Sequence, residues 1–202
     1  MRRRAGGFDF LIDPAAPAPD GRALWRADVL ASTILVGPAP EGFDASGAIT
    51  PDDLPAIFAR EDGADGVHVT IGQGARRAHL RFEPGLSLWG SVMLPREQAL
   101  RMRRASADWF LRTRGGASEP SPEGAYLSPS RRMRLGRLLS LFDARRAGAT
   151  LRQLGARFID PDLADVSAAA WADASERKQL RRLLATADQL VISAYRRLLR
   201  GE

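Results

Sequence analysis

The chain has 202 residues, of which 45% are hydrophobic and 27% are charged, so it can form one or two small domains with a buried core. It contains no cysteine, which excludes disulfides, thiolate zinc sites and thiol nucleophiles. It has no run of about 18 apolar residues that could span a membrane, and Asp9 and Asp13 interrupt the stretch that would form a signal peptide. We therefore expect a cytoplasmic protein.

The net charge of +6 is unevenly distributed along the chain. Residues 1–95 carry 9 basic and 12 acidic side chains, a net charge of −3, whereas residues 96–202 carry 21 basic and 12 acidic side chains, a net charge of +9. A basic half joined to an acidic half is typical of a module that faces a polyanion and is attached to a second module.

The N-terminal half predicts an arm followed by an α+β domain. Residues 1–22 are rich in proline, glycine and alanine and are predicted to be a flexible arm; the α+β domain is expected over residues 23–112. Residues 32–36 are β-branched and apolar and end at Gly37, which predicts a strand. Thr50, with proline next and Asp53 three residues later, predicts the capped start of a helix that ends near Arg60.

Residues 67–92 carry the clearest β pattern. Residues 67–71 and 78–82 alternate between apolar and polar, and a tight turn centred between Gln73 and Gly74 would place Val67 opposite Leu80. Leu86 and Leu88 would extend the same apolar face, which completes a three-stranded antiparallel meander.

The predicted register places His68 opposite His79 on the wetter face of the meander. Two histidines could begin a metal site, but the sequence offers no third nitrogen ligand and no carboxylate placed to complete it. We expect cross-strand surface residues and no metal or cofactor.

From Pro95 onward the pattern is helical. A helix is predicted over 95–112, a linker over 113–128, and a helical domain over 129–202. In that domain, Leu135, Leu138, Leu139 and Phe142 predict the core side of a helix that ends at Gly148. Thr150 is expected to cap a short helix over 151–158. A 14-residue loop over 160–173, with one turn around Leu163–Ala170, leads to a last helix over 175–199.

A short helix, a loop and a second helix with a basic beginning indicate a helix-turn-helix variant, although the loop is longer than the usual turn of about three or four residues. Ser175 is expected to cap the last helix. Arginine and lysine there suit guanine edges, glutamine suits adenine, and flanking arginines would contact phosphates. The candidate DNA-binding residues are Arg131, Arg132, Arg134, Thr150, Arg152, Gln153, Ser175, Arg177, Lys178, Gln179, Arg181 and Arg182.

Two alternatives remain open for the basic helix, namely a solvated outer face and a surface that binds a protein partner. Enzyme classes are disfavoured. The single lysine, Lys178, does not lie in a phosphate-binding loop, and Gly72-Gln73-Gly74 lies in a hairpin with no helix after it. The acidic pairs occupy turns and helix starts with no histidine or cysteine close in sequence, so we expect no catalysis.

The chain from about residue 78 to 199 resembles the bacterial family called domain of unknown function 2285. The resemblance rests on residues 78–82, 137–139, 143–154, Trp171, Ser175, 181–182 and 194–199, and residues 24–30 are similar to the lead-in of longer members. The stretch 155–160 departs from the family, since it lacks the expected hydrophobic-glycine end of the short helix.

The resemblance implies a proteobacterial transcriptional regulator with a helix-turn-helix-like domain. It also implies association with conjugative elements and secretion loci, and an antiactivator or adaptor that binds another regulator as the main alternative. We expect double-stranded DNA as the partner and self-association, because one small module offers only a short footprint.

Overall fold

The computed structural model describes residues 11, 24–44, 47–50, 53–54, 57–85, 90–113 and 119–201. The predicted arm (apart from Leu11) and the predicted strand positions Leu86 and Leu88 lie outside these residues. Two compact units are present: unit 1 contains the described residues up to Tyr126 with those of Leu198–Glu202, and unit 2 is Leu127–Arg197. The fold is α+β, as predicted. Among the described helices, none is long and apolar enough to cross a membrane.

Unit 1 contains a five-stranded sheet. Its strands are β1 (Thr33–Gly37), β2 (Ile57–Gly63), β3 (Gly66–Ile71), β4 (Ala78–Phe82) and β5 (Ser91–Met93), in the order β2-β3-β4-β1-β5. Strands β2, β3 and β4 form an antiparallel meander, and β1 pairs in parallel with β4 and antiparallel with β5. The parallel pair was not predicted, because its two strands are far apart in sequence and no local pattern links them.

The prediction of a helix from Thr50 to Arg60 is wrong over its second half, where the chain forms strand β2. The expected capping interaction is present in part, since the Thr50 N–H donates to Asp53 Oδ2 at 2.7 Å and this bond lowers the pKa of Asp53. The sheet overrides the helical pattern beyond it, because β2 pairs with β3 through a tight turn that ends at Gly66. Gly66 has φ of +130°, and a Cβ there would lie 1.9 Å from the Phe82 carbonyl oxygen, so only glycine fits this turn.

Strands β3 and β4 pair as predicted but two residues out of the predicted register. Val69, and not Val67, lies opposite Leu80. The connection contains a short 3-10 turn over Gly74–Arg76, which moves its centre by one residue toward the C-terminus. Such a change shifts every pair by two residues and leaves each side chain on its predicted face.

The two histidines are therefore not opposite each other. The prediction that they are surface residues is wrong for His68, which is buried, while His79 is half-buried. His68 is 2% exposed, and its Nε2 lies 3.1 Å from the Asp65 carboxylate. His79 lies opposite Thr70, with Thr70 Oγ1 and His79 Nδ1 3.0 Å apart. Burial, with a smaller contribution from the charge of Arg77, lowers the pKa of His79 to about 4.

The core of unit 1 lies between the sheet and helix α1 (Leu100–Thr113), which begins later than the predicted Pro95. Trp109 and Phe110 of α1 pack against the apolar side chains of β1, β3 and β4. The buried Arg103 donates to the carbonyl oxygens of Thr33 at 3.0 Å and Ala27 at 2.7 Å and pairs with Glu97. Helix α1 is thus bonded to the segment that leads into β1.

Part of the stretch predicted to be a linker packs on unit 1. The Ser121 hydroxyl donates to the Arg77 carbonyl oxygen and its N–H donates to that of Ala75, each at 2.7 Å. The indole N–H of Trp109 donates to the Glu119 carbonyl oxygen at 3.3 Å.

Unit 2 is helical. Its helices are α2 (Pro129–Arg146), α3 (Leu151–Phe158), α4 (Ala168–Asp173), α5 (Ser175–Gln189) and α6 (Tyr195–Leu199), with a 3-10 turn over Pro161–Ala164 and a π-helical turn over Leu190–Ala194. The predicted helices α2 and α3 are confirmed. So is the long last helix, which consists of α5, the π-helical turn and α6. Gly148, with φ of +92°, follows the end of α2 as expected. The last two residues of α6 belong to unit 1, within which the Leu199 carbonyl oxygen accepts from the Ala31 N–H at 2.8 Å.

Candidate DNA-binding surface

Three leucines from three helices hold unit 2 together. Leu141 of α2, Leu154 of α3 and Leu180 of α5 are buried against one another. Leu141 was not in the predicted stripe, and Leu139, which was, is 44% exposed. Helix α5 buries Leu180 and Ala187, so the side chains on its opposite side face solvent.

The predicted 14-residue loop between α3 and α5 is largely structured. Its second half forms α4, capped by the Ser167 hydroxyl, which accepts from the Ala170 N–H at 3.2 Å. Trp171 of α4 packs so closely on α3 that a Cβ at Gly155 would lie 2.8 Å from the indole ring. A single residue, Ala174, separates α4 from α5. A helix therefore lies immediately before α5, where the sequence predicted a loop with one turn around Leu163–Ala170.

Arg152 is directed into this connection. Its Nε donates to the Leu163 carbonyl oxygen at 3.3 Å, and its Nη2 donates to that of Val166. The side chain thus bonds α3 to two points of the segment that precedes α4. These bonds occupy the guanidinium that the sequence analysis assigned to a phosphate.

Arg177 has a similar position at the start of α5. Its Nη1 donates to the Ala172 carbonyl oxygen at 3.0 Å, and its Nε is buried without a hydrogen-bond partner in the described part of the chain. The residue is half-buried, whereas the neighbouring Lys178 is exposed. Arg177 therefore connects α4 to α5 and does not share the fully exposed face predicted for it.

Lys178, Arg181 and Arg182 form the exposed basic face of α5. They lie three and four residues apart, so they follow one side of the helix, opposite Leu180 and Ala187. None of the three makes an ion pair or side-chain hydrogen bond with another described residue. Gln179 is also exposed, at the flank of this face.

The beginning of α5 differs from the prediction. Ser175 is the first helical residue, and the N-cap position is Ala174, which has no side-chain acceptor for the N–H groups of the first turn. Ser175 therefore does not cap the helix. The N–H groups of the first turn thus lack a side-chain acceptor from the cap position, at the helix end that carries partial positive charge and also holds Glu176.

The start of α3 is closed by its own side chains. Thr150 and Gln153 form a capping box: the Thr150 hydroxyl accepts from the Gln153 N–H at 3.3 Å, and Gln153 Oε1 accepts from the Thr150 N–H at 2.8 Å. The predicted cap is thus confirmed. Both side chains are exposed but are held in this arrangement.

The three candidate arginines of α2 follow a capped start, since the Ser128 hydroxyl accepts from the Arg131 N–H at 3.3 Å. All three are exposed. Arg131 and Arg134 lie seven and four residues before the buried Leu138, so they share its side of the helix, whereas Arg132 lies on the outer side. Arg132 Nη2 donates to the Leu127 carbonyl oxygen at 3.4 Å.

The structure therefore divides the twelve candidate residues by role. The exposed side chains of α5 form one face, Arg152 and Arg177 bind backbone oxygens around α4, and Thr150 and Gln153 cap α3. Within the described ranges, no group of three or more histidine, cysteine, aspartate or glutamate residues could hold a metal. Sequence analysis missed α4, for which Ser167 followed by three alanines was the available signal.

A family model described as T6SS transcription factor, DNA binding domain, matches residues 93–200, which is more than half of the chain. The chain belongs to this family. Membership confirms the prediction of a DNA-binding transcription factor, and the matched range includes α1 of unit 1 as well as the helices of unit 2.

A second model, a domain of unknown function (DUF7012), matches residues 32–86, which include β1 to β4. No curated protein matches the chain. The resemblance to domain of unknown function 2285 stays a prediction, while membership of the T6SS transcription factor family supports its regulatory reading.

Proposed function

We propose that this T6SS transcription factor family member binds specific DNA sequences with the N-terminal half of α5. Lys178, Arg181 and Arg182 carry the proposal, because they are exposed on one side of one helix without partners in the described residues. A cation that is paired within its own protein must break that pair to bind a phosphate, whereas these three need not.

The start of α5 supports the same surface. The N–H groups of its first turn have no side-chain cap at Ala174, and phosphates bind readily at such helix ends. Lys178 and Arg181 would then contact guanine edges or phosphates, and Gln179 would contact adenine. Ser175 is the first residue of the helix, where its hydroxyl would donate to a phosphate.

The remaining candidates divide into contacts and positioning residues in this proposal. Arg131 and Arg134 would neutralise phosphates. Arg152 and Arg177 would act through α4, by holding the segment that places the start of α5. Thr150 and Gln153 would keep α3 in place against α5.

The regulator would act without catalysis, in the cytoplasm of a proteobacterium, as an oligomer on paired half-sites. We further propose that its operators lie near its own gene or near the genes of a secretion system, because the family description names T6SS. The relationship to domain of unknown function 2285 belongs to the same proposal.

Fluorescence anisotropy with DNA fragments from these two regions tests the proposal at two salt concentrations. We expect the Lys178→Ala/Arg181→Ala/Arg182→Ala variant to lose at least about tenfold in affinity and to bind with a salt dependence shallower by about two to three phosphate contacts. The matched control is Arg96→Ala/Arg101→Ala/Arg104→Ala, which removes the same charge from exposed positions of unit 1. It should bind within about threefold of the wild type.

Equal losses in the two triple variants would contradict the assignment to α5 and indicate attraction by net charge alone. No DNA binding by the wild type at low salt would favour the alternative, in which the basic face binds an acidic surface of another regulator.

A further inference from the structure

A cavity opens on the core side of the sheet in unit 1. It has a volume of about 800 Å³ and lies among strands β1 and β5, helix α1 and residues 47–49 and 53–54. Its apolar lining consists of Val36, Ile49, Leu54, Val92, Phe110 and Leu111. Sites for small molecules are typically cavities of roughly 300–1,000 Å³ with mostly apolar walls, so the volume and the lining both fit such a site.

The apolar wall of this cavity extends from the core of unit 1 to an exposed side chain. Val36 and Phe110 are 2% and 5% exposed and belong to the core. Leu111, the next residue of α1, is 60% exposed although it is large and apolar. An apolar side chain beside empty space lacks the dispersion contacts that neighbouring atoms would provide. A ligand in the cavity would cover Leu111 and continue the core.

Asp53 gives the cavity a negative charge. It is the only charged residue among the described residues that line the cavity. The Thr50 N–H donates to Asp53 Oδ2 at 2.7 Å and lowers the pKa of Asp53, so the carboxylate is charged at neutral pH. Asp53 makes no ion pair with another described residue. A cationic group on a ligand would therefore pair with it without displacing an arginine of this chain.

We infer that the cavity of unit 1 binds a small molecule with an apolar body and a cationic amine. The body packs against Leu54, Phe110 and Leu111, and the amine pairs with the Asp53 carboxylate. Ligand binding here is an activity beyond the proposed DNA binding. It does not depend on α5, because the cavity is lined by residues of unit 1.

Isothermal titration calorimetry of the full chain at pH 7 with octylamine, octanol and octanoate tests this assignment, because the three probes share one apolar chain and differ in charge. We expect octylamine to bind with Kd of about 0.1–1 mM, as is usual for a small flexible ligand. Octanol should bind at least about fivefold more weakly, and octanoate more weakly still. The net charge of +6 attracts octanoate, so a preference for octylamine cannot come from net charge.

Two variants with matched controls locate the binding site. Asp53→Asn should remove the preference for octylamine over octanol, because asparagine keeps an acceptor for the Thr50 N–H and loses the charge. Its control is Asp62→Asn, at an exposed carboxylate of β2 outside the cavity. Ala48→Trp should weaken octylamine and octanol at least about tenfold, because the larger side chain would occupy the cavity that Ala48 lines. Its control is Ala185→Trp, at an exposed position of unit 2. Both controls should bind octylamine within about twofold of the wild type.

Several outcomes would overturn the assignment. Absence of octylamine binding up to about 10 mM, or binding that Ala48→Trp leaves unchanged, would show that the cavity is not a site for such a ligand. Equal affinities for octylamine and octanol, or a preference that survives Asp53→Asn, would overturn the cationic class of ligand. These titrations contain no DNA, so failure here leaves the role of α5 unaffected.

Discussion

The two units use their charged side chains differently. Unit 1 pairs arginines with carboxylates along its surface, as in Arg60 with Asp62, Arg81 with Asp65 and Arg112 with Glu119. In unit 2, Arg152 and Arg177 bind backbone oxygens, and the basic face of α5 has no partners within the described residues. A basic surface can bind DNA when its cations are free of internal carboxylates, so the placement of acids matters as much as the number of arginines.

The units also differ in the size and composition of their cores. The core of unit 1 is a sheet face covered by α1, with buried polar groups such as His68 and Arg103 next to it. Unit 2 has a small core around three leucines. A small core loses a larger share of its packing with each removed side chain.

The largest effect is expected at the centre of the small core. Leu180→Ala should lower the free energy of unfolding by about 3 kcal/mol, because Leu180 is fully buried and its removal leaves a cavity. Urea unfolding followed by circular dichroism measures the change. Ile192→Ala, at an exposed position, should change it by less than about 0.5 kcal/mol. A loss below about 1 kcal/mol in Leu180→Ala would mean that the three leucines are not the core of unit 2.

Unit 1 is expected to lose stability as the pH falls, because of His79. Its pKa falls from 6.5 to about 4 in the folded state, so the unfolded state binds the proton more readily. The stabilisation from neutral His79 is complete above pH 6.5 and is lost as pH falls toward 4. The loss amounts to at most about 3 kcal/mol. Urea unfolding at pH 7 and pH 4.5 measures it, and His79→Gln should reduce the difference between the two pH values. An equal difference in both proteins would contradict the assignment to His79.

The cap of α3 is expected to contribute less. Thr150→Ala should lower the free energy of unfolding by about 1 kcal/mol, since the N–H of Gln153 loses its acceptor. Thr150→Ser keeps a hydroxyl at the same place and should recover most of the loss. The capping box would not stabilise unit 2 if the alanine and serine variants unfolded at the same urea concentration.

The smallest effect on stability distinguishes two neighbours on α5. Arg177→Ala should lower the free energy of unfolding by about 1 kcal/mol, because the Ala172 carbonyl oxygen loses its donor. Lys178→Ala should change it by less than about 0.5 kcal/mol. We expect Lys178→Ala to make the affinity for DNA depend less steeply on salt concentration. Thermal unfolding of the two variants measures their stability, and fluorescence anisotropy measures their affinity for DNA. Equal stability of the two variants would contradict the positioning role of Arg177.

Local patterns predicted much of this fold. The alternation in residues 67–71 and 78–82 predicted β3 and β4, because side chains on opposite faces of a strand have different surroundings. Thr150 and Gln153 predicted the start of α3, since both partners of a capping box lie within one turn. The register of the hairpin failed by two residues because the conformation of its turn depends on more than its glycines.

The candidate site was predicted at the level of helices and not of side chains. The basic beginning of the last helix was evident from its leucine spacing, and Lys178, Arg181 and Arg182 are exposed there. Arg152 and Arg177 were assigned to DNA because sequence shows charge and does not show which carbonyl oxygens lie within reach. Helix α4, which supplies one of those oxygens, is too short to give a periodic signal.

The sequence by itself determined the α+β class, the acidic and basic halves, and the helices whose apolar spacing or caps lie within a few residues. The tertiary structure decided the parallel pairing of β1 with β4, the strand in place of the predicted helix near Ile57, and the burial of His68. It also decided which arginines are free. Each of these depends on partners distant in sequence, and the energy of such contacts exceeds the small preferences that local sequence can express.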